Sequence, residues 1–114
     1  MLFKKMPELN EFLRGFNLIQ GSEFGGYRLD RIEAQHRAVT RYREYRYPIT
    51  LNFAKINRRS NVNSLIEALN VEITKEHIIY GVRNPYRCII VFQDHVENGN
   101  NVIVHLLGSS YRAN

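Results

Sequence analysis

The residues best suited to chemistry lie in "TRYREYRY", residues 40–47, where three tyrosines and three arginines interleave around Glu44. Single-stranded nucleic acid is bound by rings that stack on bases and by cations that follow the phosphate backbone, and each stacked base contributes roughly 1–3 kcal/mol. The pairing recurs along the chain. Tyr27, Tyr42, Tyr45, Tyr47, Tyr86 and Tyr111 each have an arginine as immediate neighbour, and Tyr80 has Arg83 three positions on. Arginine outnumbers lysine twelve to four, and its planar fork fits phosphate and stacks on rings better than an ammonium does. These residues also have a purely structural use, because tyrosine suits strands and arginine stems lie over apolar surface.

Charge follows the same segment. Residues 27–60 hold nine of the sixteen basic residues and only Asp30, Glu33 and Glu44 as acids, so this third of the chain is +6. The remainder holds seven basic and eight acidic residues, or −1, and the net charge is +5. A basic footprint of this kind points to nucleic acid. The expected contact residues are Arg41, Tyr42, Arg43, Arg46, Lys55, Arg58 and Arg59, with Arg83, Tyr86 and Arg87 as a second set.

"KINRRSNVNS", residues 55–64, adds a second feature. Lys55, Arg58 and Arg59 precede the start of an expected helix, where unpaired amides and the positive end of the dipole favour a phosphate. No glycine-rich P-loop is present, so nucleotide hydrolysis has no support.

The histidines are His36, His77, His95 and His105. "ENGN", residues 97–100, signals an Asn-Gly hairpin. If Glu97 pairs with Val102, Asp94 faces His105, and a carboxylate could orient a histidine base in a small metal-free endoribonuclease of toxin type using His95, His105 and Asp94. A two-residue Asn98-Gly99 turn would instead pair Phe92 with His105. No HxH or CxxC spacing exists, so neither a metal nor another cofactor is expected. Cys88, the single cysteine, sits among apolar residues as a core thiol, excludes an intramolecular disulfide and points to a reducing compartment.

These residues need a scaffold. A chain of 114 residues, 44% hydrophobic and 24% charged, is expected to form one domain with its own core. Leu9, Phe12, Leu13 and Phe16 recur at helical spacing and predict a helix over 7–15, ended by Gly15 or Gly21. Leu29, Ile32, His36 and Val39 predict a second helix over 28–43, since strand alternation does not accommodate Leu29 and Ile32 together. Tyr45, Tyr47, Ile49, Leu51 and Phe53 alternate with polar residues and predict a strand over 45–53, which Pro48 favours placing at an edge. This parity assigns Tyr45 and Tyr47 to the core and leaves Tyr42 and the arginines for a ligand.

Val62, Leu65, Ile66 and Leu69 predict a helix capped by Ser60 or Asn61 and ending near Asn70. Strands follow at 77–82, at 88–94 and at 102–108. The segment 83–87 reads as a turn, the apolar 88–92 suits a central strand, and the tail 109–114 is expected to be mobile.

The fold class is therefore α+β, with about three helices packed on a mainly antiparallel sheet of about four strands, ending in a β-meander with an Asn-Gly hairpin. No apolar run suits a membrane span, and the first residues lack the pattern of a signal peptide. The leading expectation is a cytoplasmic, non-enzymatic protein binding RNA or DNA. The alternatives are a protein-interaction or inhibitor module of viral or mobile-element type with an acidic partner, and the ribonuclease. Self-association through an edge strand is a further expectation.

Overall fold

The computed structural model describes residues 13–35, 37–39, 44–75, 78–79, 82–83 and 88–111. The chain runs through helix α1 (helical at 13–15), β1 (Glu23–Phe24), β2 (Tyr27–Ala34), β3 (Arg37–Val39), β4 (Glu44–Lys55), α2 (Val62–Thr74), β5 (Ile78–Ile79), β6 (Val82–Arg83), β7 (Cys88–Asn98) and β8 (Asn101–Tyr111). The α+β class holds. Among the described residues two helices, not the expected three, accompany a curled antiparallel sheet in the order β1-β2-β4-β8-β7. Strand β3 continues β2 along the same side of β4: Ala34 faces Ile49 and Arg37 faces Arg46, in one unbroken register.

The helix expected over 28–43 is replaced by β2 and β3; residues 36 and 40–43 lie outside the described residues. A bulge between Leu29 and Arg31 explains the misleading spacing. The extra residue, Asp30, shifts the side-chain parity by one. Leu29 and Ile32, three apart, therefore meet the same core: Leu29 is buried and Ile32 packs partly against it. Helical spacing of apolar residues is what a bulged strand also produces.

Strand β4 keeps the expected parity, with Tyr47, Ile49, Leu51 and Phe53 buried. It is central, however, not an edge. It pairs with β2 and β3 on one side and with β8 on the other. Pro48 is tolerated because its missing N–H falls at the break between β2 and β3, where Gln35 N still donates to Pro48 O at 3.1 Å.

Helix α2 begins where expected, with the Asn61 side chain accepting from Ser64 N, but continues past Asn70 to Thr74. Leu65, Leu69 and Ile73 are buried and belong to one core with Val102, Val104 and Leu106 of β8 and the buried row of β4. The segment 77–82 is not one strand. Its described residues form β5 and part of β6, which pair only with each other.

Strand β7 is at the edge of the sheet rather than its centre, and β8 lies between β7 and β4. Ser109, Ser110 and Tyr111, expected in a tail over 109–114, instead belong to β8 and pair with β4; residues 112–114 lie outside the described residues. The last helical residue of α1 is Gly15, one of the two expected ends, and the left-handed cap beyond it is Asn17. Asn17 takes φ 56, Leu18 N donates to Leu13 O at 2.9 Å and Asn17 N to Arg14 O at 2.9 Å. These are the two bonds of a Schellman motif, and buried Leu13 and Leu18 supply its apolar contact. Asn17 Nδ2 then donates to Glu72 Oε1 at 2.8 Å, tying α1 to α2.

Tyr27 gives the core a dependence on alkaline pH. It is 4% exposed; burial first, and the Glu97 carboxylate second, hold its phenol above the ordinary value of 10.0. As pH rises past about 10 the unfolded chain loses this proton while the folded chain keeps it, so stability falls. Tyr27→Phe is expected to lose less stability than the wild type between pH 8 and 10.5, read from urea midpoints. Equal losses in both proteins would remove Tyr27 from the alkaline transition.

Candidate nucleic-acid interface

The expected contact residues that the structure describes with their surroundings are Arg46, Lys55, Arg58 and Arg59, which lie towards the two ends of β4 and in the turn after it. Arg41, Tyr42, Arg43, Tyr86 and Arg87 lie outside the described residues, and of Arg83 only its place in β6 is described. Arg46 is exposed near the start of β4, and Lys55 ends the same strand. At roughly 3.3 Å per residue the two are about 30 Å apart. The basic segment is therefore stretched along the sheet.

Part of its charge is also matched locally. Arg28 Nε lies 2.6 Å from Asp30 Oδ1, and Arg31 Nη2 lies 2.7 Å from Glu33 Oε1. Hydrogen bonding to Asp30, then that carboxylate's charge, holds the Arg28 guanidinium above its ordinary value. Both pairs are solvent-exposed, so they add little stability. What they change is the field, since two of the segment's three acids sit beside its first two arginines.

Lys55, Arg58 and Arg59 do come together at one end of the sheet. Lys55 N donates to Asn100 O at 2.8 Å, which fixes the end of β4 against the β7–β8 turn. Ile56 N and Asn57 N both donate to Gly26 O, at 2.9 and 3.2 Å. The Asn57 side chain accepts from Arg59 N at 3.0 Å, and Ser60 N donates to Asn57 O at 3.0 Å. Arg58 and Arg59 thus project from a turn held by its own asparagine. Both are exposed, and Lys55 is half-buried.

The turn leads directly into α2, whose first turn carries no acidic residue. Asn61 caps Ser64 N, and the amides of Val62 and Asn63 have no intrahelical acceptor by helix geometry. Ser64 Oγ donates to Gly25 O at 2.8 Å. The Gly25–Gly26 turn therefore supports both the loop and the helix start.

The Asp–His reading tests differently. Asp94 does pair with His105, and the alternative register pairing Phe92 with His105 is not formed. His105 Nε2 lies 4.0 Å from Asp94 Oδ1, beyond hydrogen-bond range, and Nδ1 lies 3.3 Å from Thr50 Oγ1. Thr50, reached across β4, had no sequence signal, since it is one more polar residue on an alternating strand. The side chains of Asp94 and His105 are 69% and 44% exposed, so water competes for each contact. His95 pairs with Val104, one residue on from Asp94, so its ring lies on the opposite face and sits 6.0 Å from that of Phe92. The three proposed ribonuclease residues do not converge on one substrate position.

Among the described residues no three of His, Cys, Asp and Glu gather as metal ligands, and no helix is long and apolar enough to cross a membrane. Comparison of the chain with family models, with curated proteins and with solved structures found no match.

Proposed function

We propose that this protein binds nucleic acid through the phosphate backbone, with Lys55, Arg58 and Arg59 as the principal cations. The observation that carries the reading is the fixed loop at 55–60, which presents these three cations before a helix start free of acidic residues. Backbone amides and helix dipole add to the cations there, so a phosphate group meets donors from both sources. Arg46, about 30 Å along β4, contacts a different part of any extended ligand. Arg41, Tyr42 and Arg43, with Arg83, Tyr86 and Arg87 as a second set, are proposed as further contacts because of their residue types.

Affinity of this origin depends on salt. Neutralising three phosphates gives a log–log slope of about −2 to −3, so affinity falls about 20- to 40-fold between 50 and 200 mM salt. Fluorescence anisotropy with single- and double-stranded RNA and DNA at these two concentrations measures it. Absence of binding to every probe at 50 mM salt defeats the proposal, as does binding that is indifferent to salt.

A further inference from the structure

We propose that the edge of β7 pairs with the same strand of a second copy of this chain, about a two-fold axis at Val96, joining the two sheets into one. This inference rests on the β7 edge alone and is independent of nucleic-acid binding. Among the described residues β8 is the only strand paired with β7. Residues 93–98 are exposed on both faces of the sheet, with Val96 at 55%.

The register of the hairpin decides which backbone groups are available. Asn98 pairs with Asn101 across a two-residue turn, with Gly99 at φ 63. The closing pair of such a turn is hydrogen-bonded, and bonding alternates along the strand. Asn98, Val96 and Asp94 therefore direct their backbone groups to β8, while His95 and Glu97 direct theirs outward. The bond from Lys55 N to Asn100 O agrees, since it requires Asn100 to face β4 and Asn101 to face β7. Two consecutive outward-facing sites, at His95 and Glu97, are the minimum for a short antiparallel pairing.

The side chains over this stretch are self-complementary. With Val96 on the axis, His95 lies opposite the second copy's Glu97, and Glu97 opposite the second copy's His95. An imidazole N–H thus meets a carboxylate at both hydrogen-bonded pairs. Val96 meets its own copy at the central pair, which is not hydrogen-bonded and brings side chains closest. Asp94 faces the second copy's Asn98. No like charges oppose each other, whereas an axis at Asp94 would set two carboxylates face to face.

The bulge between Phe92 and Asp94 stops the regular edge, so pairing is confined to residues 94–98. An interface of this size falls well below the ~1,200 Å² at which stable specific complexes begin. The dimer is therefore weak, and it forms at high local concentration, such as neighbouring sites on one ligand.

Sedimentation equilibrium of the full chain at pH 7, in high salt without nucleic acid and from about 10 μM to 1 mM, tests this. The average mass is expected to rise from 13.4 kDa towards twice that value. Glu97→Lys and His95→Glu each weaken association about tenfold or more, and the double variant, which sets glutamate opposite lysine, restores it. Both positions are exposed, so the fold, checked by circular dichroism, is retained in all three. A monomer at every concentration overturns the inference. So does a dimer that the single substitutions leave unchanged, or one that the double substitution does not repair.

Discussion

Gly25→Ala is expected to destabilise the protein by about 2–5 kcal/mol, measured by urea unfolding. Two costs add. Gly25 takes φ 56, a conformation that L side chains adopt at about 1–2 kcal/mol. A Cβ there would also overlap the backbone carbonyl of Ser64 in α2, which is held in the first helical turn and has no rotamer to change. Relief requires α2 to move away from the β1–β2 turn. Such overpacking costs about 1–3 kcal/mol.

The neighbouring glycines give graded controls. Gly26 has φ 86, and its added Cβ would meet the Ser60 hydroxyl, which can rotate away, and the Ser60 Cβ, which moves only with the loop backbone. Gly99 has φ 63 and nothing near it, so Gly99→Ala carries only the backbone cost of about 1–2 kcal/mol. The expected order of damage is Gly25, then Gly26, then Gly99. If Gly99→Ala were as harmful as Gly25→Ala, close docking of the glycine turn on α2 would not be a main support of the fold. Since the same turn accepts Ile56 N and Asn57 N, Gly25→Ala should also loosen the loop bearing Arg58 and Arg59.

Phe53→Ala is the second large effect, about 3–5 kcal/mol. Phe53 is 1% exposed in the central strand. It faces Leu29 of β2 on one side and Val102 of β8 on the other. Its ring meets that of Phe24 edge-on, with centroids 6.0 Å apart and planes at 88°. The substitution removes a large apolar volume at a site enclosed by strands on both sides and by the Phe24 ring, where neighbours cannot collapse inward. Thermal and urea unfolding should agree on the loss. A cost below about 1 kcal/mol would mean that this end of the core is not packed as described.

Much of the scaffold was legible because it obeys a simple period. The alternation through Tyr47, Ile49, Leu51 and Phe53 identified β4, and Asn61 with Leu65 and Leu69 identified α2. The Asn-Gly signal and the Glu97–Val102 pairing correctly aligned Asp94 with His105. Failures arose where one residue broke the period. The bulge at Asp30 made β2 read as a helix, and Pro48 suggested an edge because the matching break between β2 and β3 is invisible from β4 alone. Long-range pairing was not accessible either. Apolar residues on both faces of 88–92 suggested a central strand, yet β8 took that position and left β7 outside.

The candidate site was only partly legible for a related reason. Counting charge along 27–60 treats the segment as a point, whereas β4 spreads it over about 30 Å. Arg28 and Arg31 count toward the segment's +6, but strand period places Asp30 and Glu33 within reach of them. What survived was the local signal: three cations beside a helix start are neighbours in the fold because they are neighbours in the chain.

The most direct measurement is the salt dependence of oligonucleotide binding by the wild type, by a Lys55→Ala/Arg58→Ala/Arg59→Ala variant and by Arg46→Ala. The triple variant should lose about 2–3 from the magnitude of the log–log slope, and Arg46→Ala should leave it within about 1 of wild type. A triple variant that binds with the wild-type slope would contradict the assignment of the phosphate-binding surface to the loop before α2.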